Sequence, residues 1–511
     1  MSDVLAALDH FATTAAESVA MTDGATELSY AELRARVDRA AHWLAAIGCR
    51  RLGLLLDNGL DWAILDLASR RAGIVLVPIP LFFSVEQIAH VVGQAALTHL
   101  ATEQVTRVAT LARLPALPAA EDILARPATR LLVLDRLAAA PDAPLPGRTG
   151  KVTFTSGTTG APKGICLSHA AIDKVAGSLL DASGGSAQDR HLCILPLATL
   201  LENISGINVP ILAGATACIP SLREVGLTGS SQLDIGLTIG AILRFRATTI
   251  VTVPQILAAM AAVLSTGAVR QTDLRLVAVG GAPLAPGILR KARQLGLPVR
   301  EGYGLSECSS VVCLNRIDDD RPGSVGRPLP HARVEIAPDG EVLVGGAVCE
   351  GVLGGGETEM PALWPTGDLG RFDADGHLYL TGRKKNVFIT SFGRNVSPEW
   401  IECELAAEPG IAQAAVFGEG RPWNTAIIVA APPGGAGGKA FDPTRVALAV
   451  QRVNERLPDY ARVGRWLLAD APFTPANDLS TPNGRLRRER IAEVYRDRLD
   501  HIYDCEVPLV S

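Results

Sequence analysis

Between Val152 and Gly164 the chain runs through Thr155, Ser156, Gly157, Thr158, Thr159, Gly160, Ala161, Pro162 and Lys163, a β-branched stretch leading into hydroxyls and glycines that close on a lysine. Such a loop wraps phosphate oxygens, because glycines let the backbone approach and N–H groups, hydroxyls and an ammonium all donate to anions. A flexible Ser/Gly linker is the alternative. Against it stand the preceding strand pattern, the interposed Pro162 and a helix start near Ser168. The GxxxxGK[ST] spacing of a Walker loop is absent.

Three further segments lie at the ends of apolar runs. Gly280-Gly281-Ala282-Pro283 follows one, and Glu301-Gly302-Tyr303-Gly304-Leu305-Ser306-Glu307 follows another. In an α/β sheet, ligands bind outside the carboxyl ends of the strands. Glycines beside Tyr303 would let its ring cover a base, and Glu307 could hold a divalent cation against phosphates; taken singly, either segment also reads as a tight turn. The last is Trp364-Pro365-Thr366-Gly367-Asp368, followed by Tyr379 to Asn386 with Arg383, Lys384 and Lys385. A carboxylate at a turn suits ribose hydroxyls and Arg383 adds a fixed donor fork, while a hairpin-turn Asp with a solvated basic run is the plainer alternative.

Positioning these groups requires a large α/β frame. Short apolar runs alternate with helices: strands over Leu52 to Leu56 and Gly73 to Pro78, helices over Leu60 to Ala72 and Val85 to Gly93, and a helix N-capped by Ser29 running to about Ile47. This is the βαβ rhythm of parallel sheets. It resumes after an Ala/Pro/Gly-rich connection (138–150) with strands over Lys151 to Phe154, Cys218 to Pro220, Thr249 to Val253 and Leu276 to Val279. From Ser324 to Tyr379 the pattern becomes short strands with hairpin signals at Asp339-Gly340 and Asp375-Gly376, a small β-rich subdomain. After Lys385 come strands over Val387 to Thr390, Ala414 to Phe417 and Ala426 to Ala431, a flexible loop from Pro432 to Gly438, and a charged helix from Arg487 to Arg498. The expectation is an α/β protein: a large N-terminal domain (1–384) of parallel sheets plus the β-rich subdomain, then a mobile small α+β domain (386–511).

The 511 residues, 48% hydrophobic and 20% charged, support ample core and exclude disorder or a fibrous repeat. A net charge of −5 leaves no global field for nucleic acid or anionic lipid, so any anion site must be local. No apolar stretch reaches the roughly 18 residues of a membrane span. The N-terminus, with Asp3 and Asp9, does not read as a secretory signal. Nine cysteines, among them Cys49, Cys166, Cys308 and Cys505, are scattered without a CxxC pair, as expected of buried thiols in a reducing cytoplasm.

Together the four segments resemble the adenylate-forming superfamily of acyl-CoA synthetases, luciferases and peptide-synthetase adenylation domains, and the resemblance covers nearly the whole chain. It implies ATP and Mg²⁺ as cofactors. It implies that Thr155 to Lys163 handles the pyrophosphate end of ATP, that Ala282 and Tyr303, with Gly281, Gly304 and Ser306 around them, form the adenine cleft, and that Glu307 is the magnesium ligand. Asp368 matches the ribose-binding acid and Arg383 the arginine beside it. Lys385 matches the hinge about which the C-terminal domain rotates between two half-reactions, and Gly393 the loop lining the thiol tunnel after that rotation.

One position departs from the family pattern. Arg485 stands where the family has a C-terminal lysine bridging the substrate carboxylate and the α-phosphate; arginine keeps the charge and forks two oxygens but is bulkier. The chain has seven lysines against 41 arginines, yet keeps Lys163 and Lys385. We read Arg485 as a functional replacement.

The acid pocket of the family follows the Leu195-Pro196-Leu197 strand, here Ala198 to Gly206, and Thr199 and Leu200 fall where His or an aromatic is common. Glu202 and Asn203 could hydrogen-bond a substrate hydroxyl or cap the helix starting there. The reaction so implied is activation of a carboxylic acid to an acyl-adenylate and transfer to a thiol, with a small aryl, hydroxyaryl or fatty acid as substrate and an acyl carrier protein preferred over free CoA as acceptor. The arginines from Arg485 to Arg490 could meet an acidic carrier or CoA phosphates, or be a solvated helix start. Rival readings are a nucleotide-binding pseudoenzyme, an oxygenase using the adenylate, and activation of an unusual acid such as nitrite.

Overall fold

The computed structural model describes residues 3–111, 117–118, 124, 129–133, 145–155, 162–228, 232–267, 272–354, 360–392, 394–431, 443–481 and 484–504. Among these, two large sheets carry the N-terminal part. In one, the strands Lys151–Thr155, Val75–Pro78, Arg51–Leu55 and His99–Thr102 lie side by side in parallel, with antiparallel strands at both edges. The other runs in parallel through Val299–Tyr303, Leu276–Val279, Thr249–Thr252, Arg190–Leu192, Thr216–Cys218 and Val19–Thr22.

These strands are short and β-branched or leucine-rich because both faces are covered. A single core joins side chains of both sheets (Met21, Leu52, Leu54, Cys193) with those of the helices Tyr30–Ala46, Leu60–Arg71 and His169–Ser183. Ser29 and Glu32 form a reciprocal capping box at the first of these helices, a device worth about 1 kcal/mol. Among the described residues no helix is long and apolar enough to cross a membrane.

The β-rich subdomain is an antiparallel sheet of Ala332–Ile336, Glu341–Gly346, Trp364–Phe372 and Leu378–Arg383. Its Asp-Gly turns put Gly340 and Gly376 at φ +86° and +84°, the left-handed backbone that glycine adopts without steric cost. Beyond Lys385 a separate core of Phe388, Ile401, Leu405, Val416, Ile428, Val450 and Val463 packs the strands Ile411–Phe417, Asn424–Ala430 and Val463–Leu468 against the helices Pro398–Ala406 and Pro443–Arg456.

Two expectations need correction. The helix expected from Arg487 to Arg498 is two, Arg488–Val494 and Arg496–Asp504. Tyr495 between them is buried, with its hydroxyl accepting from Asp470 N at 2.9 Å. The arginines there are not a free basic patch: Arg488 pairs with Glu402, and Arg487 and Arg490 both reach Asp478. Most of the 138–150 connection and all of the Pro432 to Gly438 loop lie outside the described residues.

Candidate active site

The hydroxyl and glycine loop joins an antiparallel hairpin, in which Thr155 ends one strand and pairs with Lys163 at the start of the next. Lys163 is exposed. Ser156, Gly157, Thr158, Thr159 and Gly160 lie outside the described residues, as does Gly393. Ser168 caps the following helix through Ala171 N.

Gly280 and Gly281 end the strand Leu276–Val279, Gly281 at φ +81°. A Cβ at Gly280 would stand 3.6 Å from Gly302 O and 4.0 Å from Leu201 Cδ2. Gly280 thus faces the Gly302 backbone and Leu201, and the exposed Ala282 follows.

Tyr303 closes the next strand with its ring buried. Its hydroxyl donates to Asp368 Oδ2 at 2.7 Å, and Arg383 Nε meets Asp368 Oδ1 at 2.6 Å. Asp368 is presented by a bulge in the strand Trp364–Phe372, where Gly367 takes φ +71°. Burial raises the Asp368 pKa, opposed by Arg383, by the Tyr303 hydrogen bond and by Arg485. A buried carboxylate held between an arginine and a phenol keeps lone pairs for a further donor such as a ribose hydroxyl.

Gly304 opens a turn that only glycine permits, since a Cβ there would collide with the Ser310 carbonyl. The short turn Ser306–Cys308 follows, then Ser309 and Ser310 at φ +55° and +96°. Positive φ at two consecutive non-glycine residues is stored strain of the kind that clusters at ligand sites. The Ser309 hydroxyl is buried without a hydrogen-bond partner among the described residues. Glu307 is half-buried, and its carboxylate makes no hydrogen bond or ion pair with a described residue.

Arg485 comes from the other domain. The turn Thr481–Arg485 is closed by Thr481 N to Arg485 O at 2.7 Å, and Gly484 sits on the N-terminal domain, where a Cβ would stand 2.8 Å from Gln255 Nε2. Arg485 is exposed, yet the protein crowded around it and the neighbouring Arg383 lower its pKa against the attraction of Asp368, Glu307 and Tyr303. Five sequence-expected residues, Tyr303, Glu307, Asp368, Arg383 and Arg485, are therefore within one another's field. Lys385 is exposed at the junction, and Phe392, beside Gly393, is 76% exposed.

The pocket residues divide. Thr199 is half-buried and Leu200 buried, whereas Glu202 and Asn203 are fully enclosed. Neither faces an open pocket or caps a helix. Glu202 accepts from Leu195 N at 3.1 Å and meets His191 Nε2 at 3.2 Å, and burial raises its pKa despite both. Asn203 joins Asp66 and the buried Lys151 at 2.8 and 2.5 Å. Leu201, half-buried between Leu200 and Glu202, is the residue of this stretch that faces Gly280. One helical step is 100°, so without its partner Gly280 nothing in the sequence says which leucine turns inward.

The profile of AMP-binding enzymes matches residues 8–355, and that of the AMP-binding enzyme C-terminal domain matches 385–507. The chain belongs to the AMP-binding enzyme family. It is similar to the long-chain-fatty-acid–CoA ligase FadD15 of Mycobacterium bovis, 29% identical over 563 aligned positions spanning 94% of this chain and 93% of the relative. It is also similar to a feruloyl-CoA synthase of Amycolatopsis sp, 30% identical over 81% of this chain and 86% of that one. In fold it matches O-succinylbenzoate coenzyme A synthetase of Bacillus subtilis in complex with ATP and magnesium, with a TM-score of 0.74, 22% identity and 94% and 98% of the two chains covered.

This AMP-binding enzyme is accordingly an ATP-dependent, AMP-forming ligase. Its own residues fit the nucleotide and the metal. Among the described residues, the Ser309 hydroxyl without a partner and Asp368, held by Tyr303 and Arg383, suit a nucleoside, and the Glu307 carboxylate, which pairs with no described residue, is a hard oxygen donor of the sort magnesium takes.

Proposed function

We propose that this enzyme joins a largely apolar carboxylic acid, aryl or fatty, to the thiol of a phosphopantetheine group. In the first step a carboxylate oxygen bonds to the α-phosphorus of ATP, the bond from that phosphorus to the bridging oxygen breaks, and pyrophosphate leaves. No protein base is needed, because the nucleophile is already an anion. In the second, the thiol sulfur bonds to the acyl carbonyl, the bond to the AMP oxygen breaks, and the thiol proton passes to solvent. Both steps depend on positioning and charge rather than covalent help from the protein.

Within this reading Asp368 and Arg383 orient the ribose, Tyr303 and Ala282 flank the base, and Lys163 with the loop from Thr155 meets the pyrophosphate. Glu307 would hold magnesium, whose chemistry when bound is to neutralise charge on the departing pyrophosphate. Arg485 bridges the carboxylate and the α-phosphate. The observation that carries the reading is the seating of Gly484 and Arg485 on the N-terminal domain at Gln255, which brings Arg485 into the field of Asp368, Arg383 and Glu307. We propose rotation about Lys385 as the move that withdraws it for the second step. The small contacts between the domains, such as Cys403 Sγ to Pro283 O at 3.6 Å, suit an interface made and broken each turnover.

The acid class is supported by Leu201 and Leu200 and by the absence of an exposed charge among the described residues of Thr199 to Gly206. For the acceptor, the names of the relatives favour CoA over the carrier protein expected from sequence, and Arg487, Arg488 and Arg490 already have acidic partners within the chain. The test incubates the enzyme with ATP, magnesium and radiolabelled fatty, cinnamic or benzoic acids, then adds CoA or a phosphopantetheinylated carrier protein. Thioester on either acceptor supports the reading and names the acceptor. Acyl-adenylate that neither thiol consumes would refute it.

A further inference from the structure

The segment Leu195–Leu197 links a strand of one large sheet to the helix carrying Thr199 and Leu201. It is gripped by side chains on both sides. Asn58, in the loop after the strand Arg51–Leu55 of the other sheet, donates from Nδ2 to Leu195 O at 2.8 Å and accepts at Oδ1 from Leu197 N at 2.8 Å. Glu202 takes the remaining Leu195 N–H at 3.1 Å. With Thr199 N donating to Pro196 O at 2.8 Å, every backbone polar group from Leu195 N to Leu197 N has a partner, and three of those bonds are to buried side chains.

The grips are themselves held. Glu202 meets His191 Nε2, whose Nδ1 lies 3.0 Å from Thr249 Oγ1. The Asn58 backbone N–H donates to Asp57 Oδ1 at 2.7 Å, and the same oxygen accepts from Leu222 N at 3.2 Å. At the far end of the short helix Asn203 is locked to Asp66 and Lys151. Beyond it, a Cβ at Gly206 in the π-helical turn Ile204–Asn208 would collide with Cys193 Sγ, so the helix lies hard against its strand. Leu195 and Leu197 are buried out of reach of solvent, so their backbone groups depend on these side chains. The same bonds fix both ends of the segment and so set where Leu201 stands relative to Gly280.

We propose that Asn58 and Glu202 are positioning residues that clamp Leu195–Leu197 across the two sheets and so fix the wall that Thr199 and Leu201 present to the acid. This rests on the reading of Thr199 to Leu201 as the acid pocket. Neither residue touches substrate. Their loss therefore acts on the acid and spares the nucleotide, whose residues belong to other strands.

The test uses the full chain and two readouts. Amide hydrogen exchange of Leu195 and Leu197 is compared in wild type, Asn58→Ala and Asn58→Asp, together with KM for acid and for ATP. Asn58→Ala removes both bonds. Asn58→Asp keeps the acceptor for Leu197 N and replaces the donor to Leu195 O, so it also serves if the alanine variant does not fold. The clamp predicts exchange at Leu197 about tenfold faster in Asn58→Ala but near wild type in Asn58→Asp, and an acid KM about tenfold higher in both, the consequence of a lost buried hydrogen bond, with ATP KM within twofold. Unchanged exchange at Leu197 in Asn58→Ala, or acid and ATP KM rising together, overturns it. A wild type that activates no acid would instead sink the proposed function, and the exchange data would still decide the clamp.

Discussion

Replacing Arg485 by alanine removes a cation that the C-terminal domain brings into the field of Asp368, Glu307 and Tyr303. A preorganised donor aimed at developing charge is worth about 3 to 4 kcal/mol, or 10² to 10³ in rate. Here the lower end applies. Arg383 already sits 2.6 Å from Asp368 with its own side chain one-third exposed, and the open side of Arg485 is screened by water. We expect adenylation to fall about 100-fold in Arg485→Ala and about tenfold in Arg485→Lys, which keeps the charge but loses the planar fork. The assay separates the half-reactions: ATP–pyrophosphate exchange reports the first, and thioester formation from supplied acyl-adenylate reports the second. Only the first should drop, because the proposed rotation carries Arg485 away before the thiol enters. A second signature follows from charge. Arg485 lowers the Asp368 pKa, so its removal moves the acid limb of the exchange rate to higher pH. Exchange within threefold of wild type in Arg485→Ala, or equal loss in both half-reactions, would refute the reasoning.

Other consequences are simpler. Leu201→Trp enlarges the side chain that stands opposite Gly280 and should abolish activation of the bulkiest acids while acetate-sized acids survive, read from a chain-length profile. Gly304→Ala sets a Cβ into the Ser310 carbonyl, so the strained turn must open, and ATP affinity should fall at least tenfold by calorimetry. Glu301 is buried and its carboxyl is pushed from 4.5 up to about 7, with burial the main cause. A raised carboxyl pKa means that the folded state holds the proton the unfolded chain gives up. Its stability contribution is thus full below pH 4.5 and lost as pH rises through about 7, about 3 kcal/mol in all. Denaturant titrations should show Glu301→Gln gaining stability relative to wild type across that window; a constant difference would count against it.

What the sequence made legible was local chemistry. Ser29 with Glu32 announces a helix start and Asp339-Gly340 a hairpin, because each is decided by neighbours a few residues away. What it left closed depends on contacts from afar. Glu202 reads like a pocket residue until His191 and Leu195 are seen to occupy its carboxylate. Asn58 reads as an ordinary loop asparagine, since its partners lie 137 and 139 residues away. The break at Tyr495 is hidden because the charged pattern continues through it, and only its burial against the strand ending at Leu468 stops the helix. The arginines after Arg485 look free in one dimension and are paired in three.

The most direct test of the account is pyrophosphate release from ATP and magnesium across fatty, aryl and amino acids, in wild type and in Asp368→Ala. The account predicts release that depends on an apolar acid and falls to background in the variant, which loses the carboxylate shared by Tyr303 and Arg383. ATP binding with no release for any acid, or release that the variant retains in full, would contradict it.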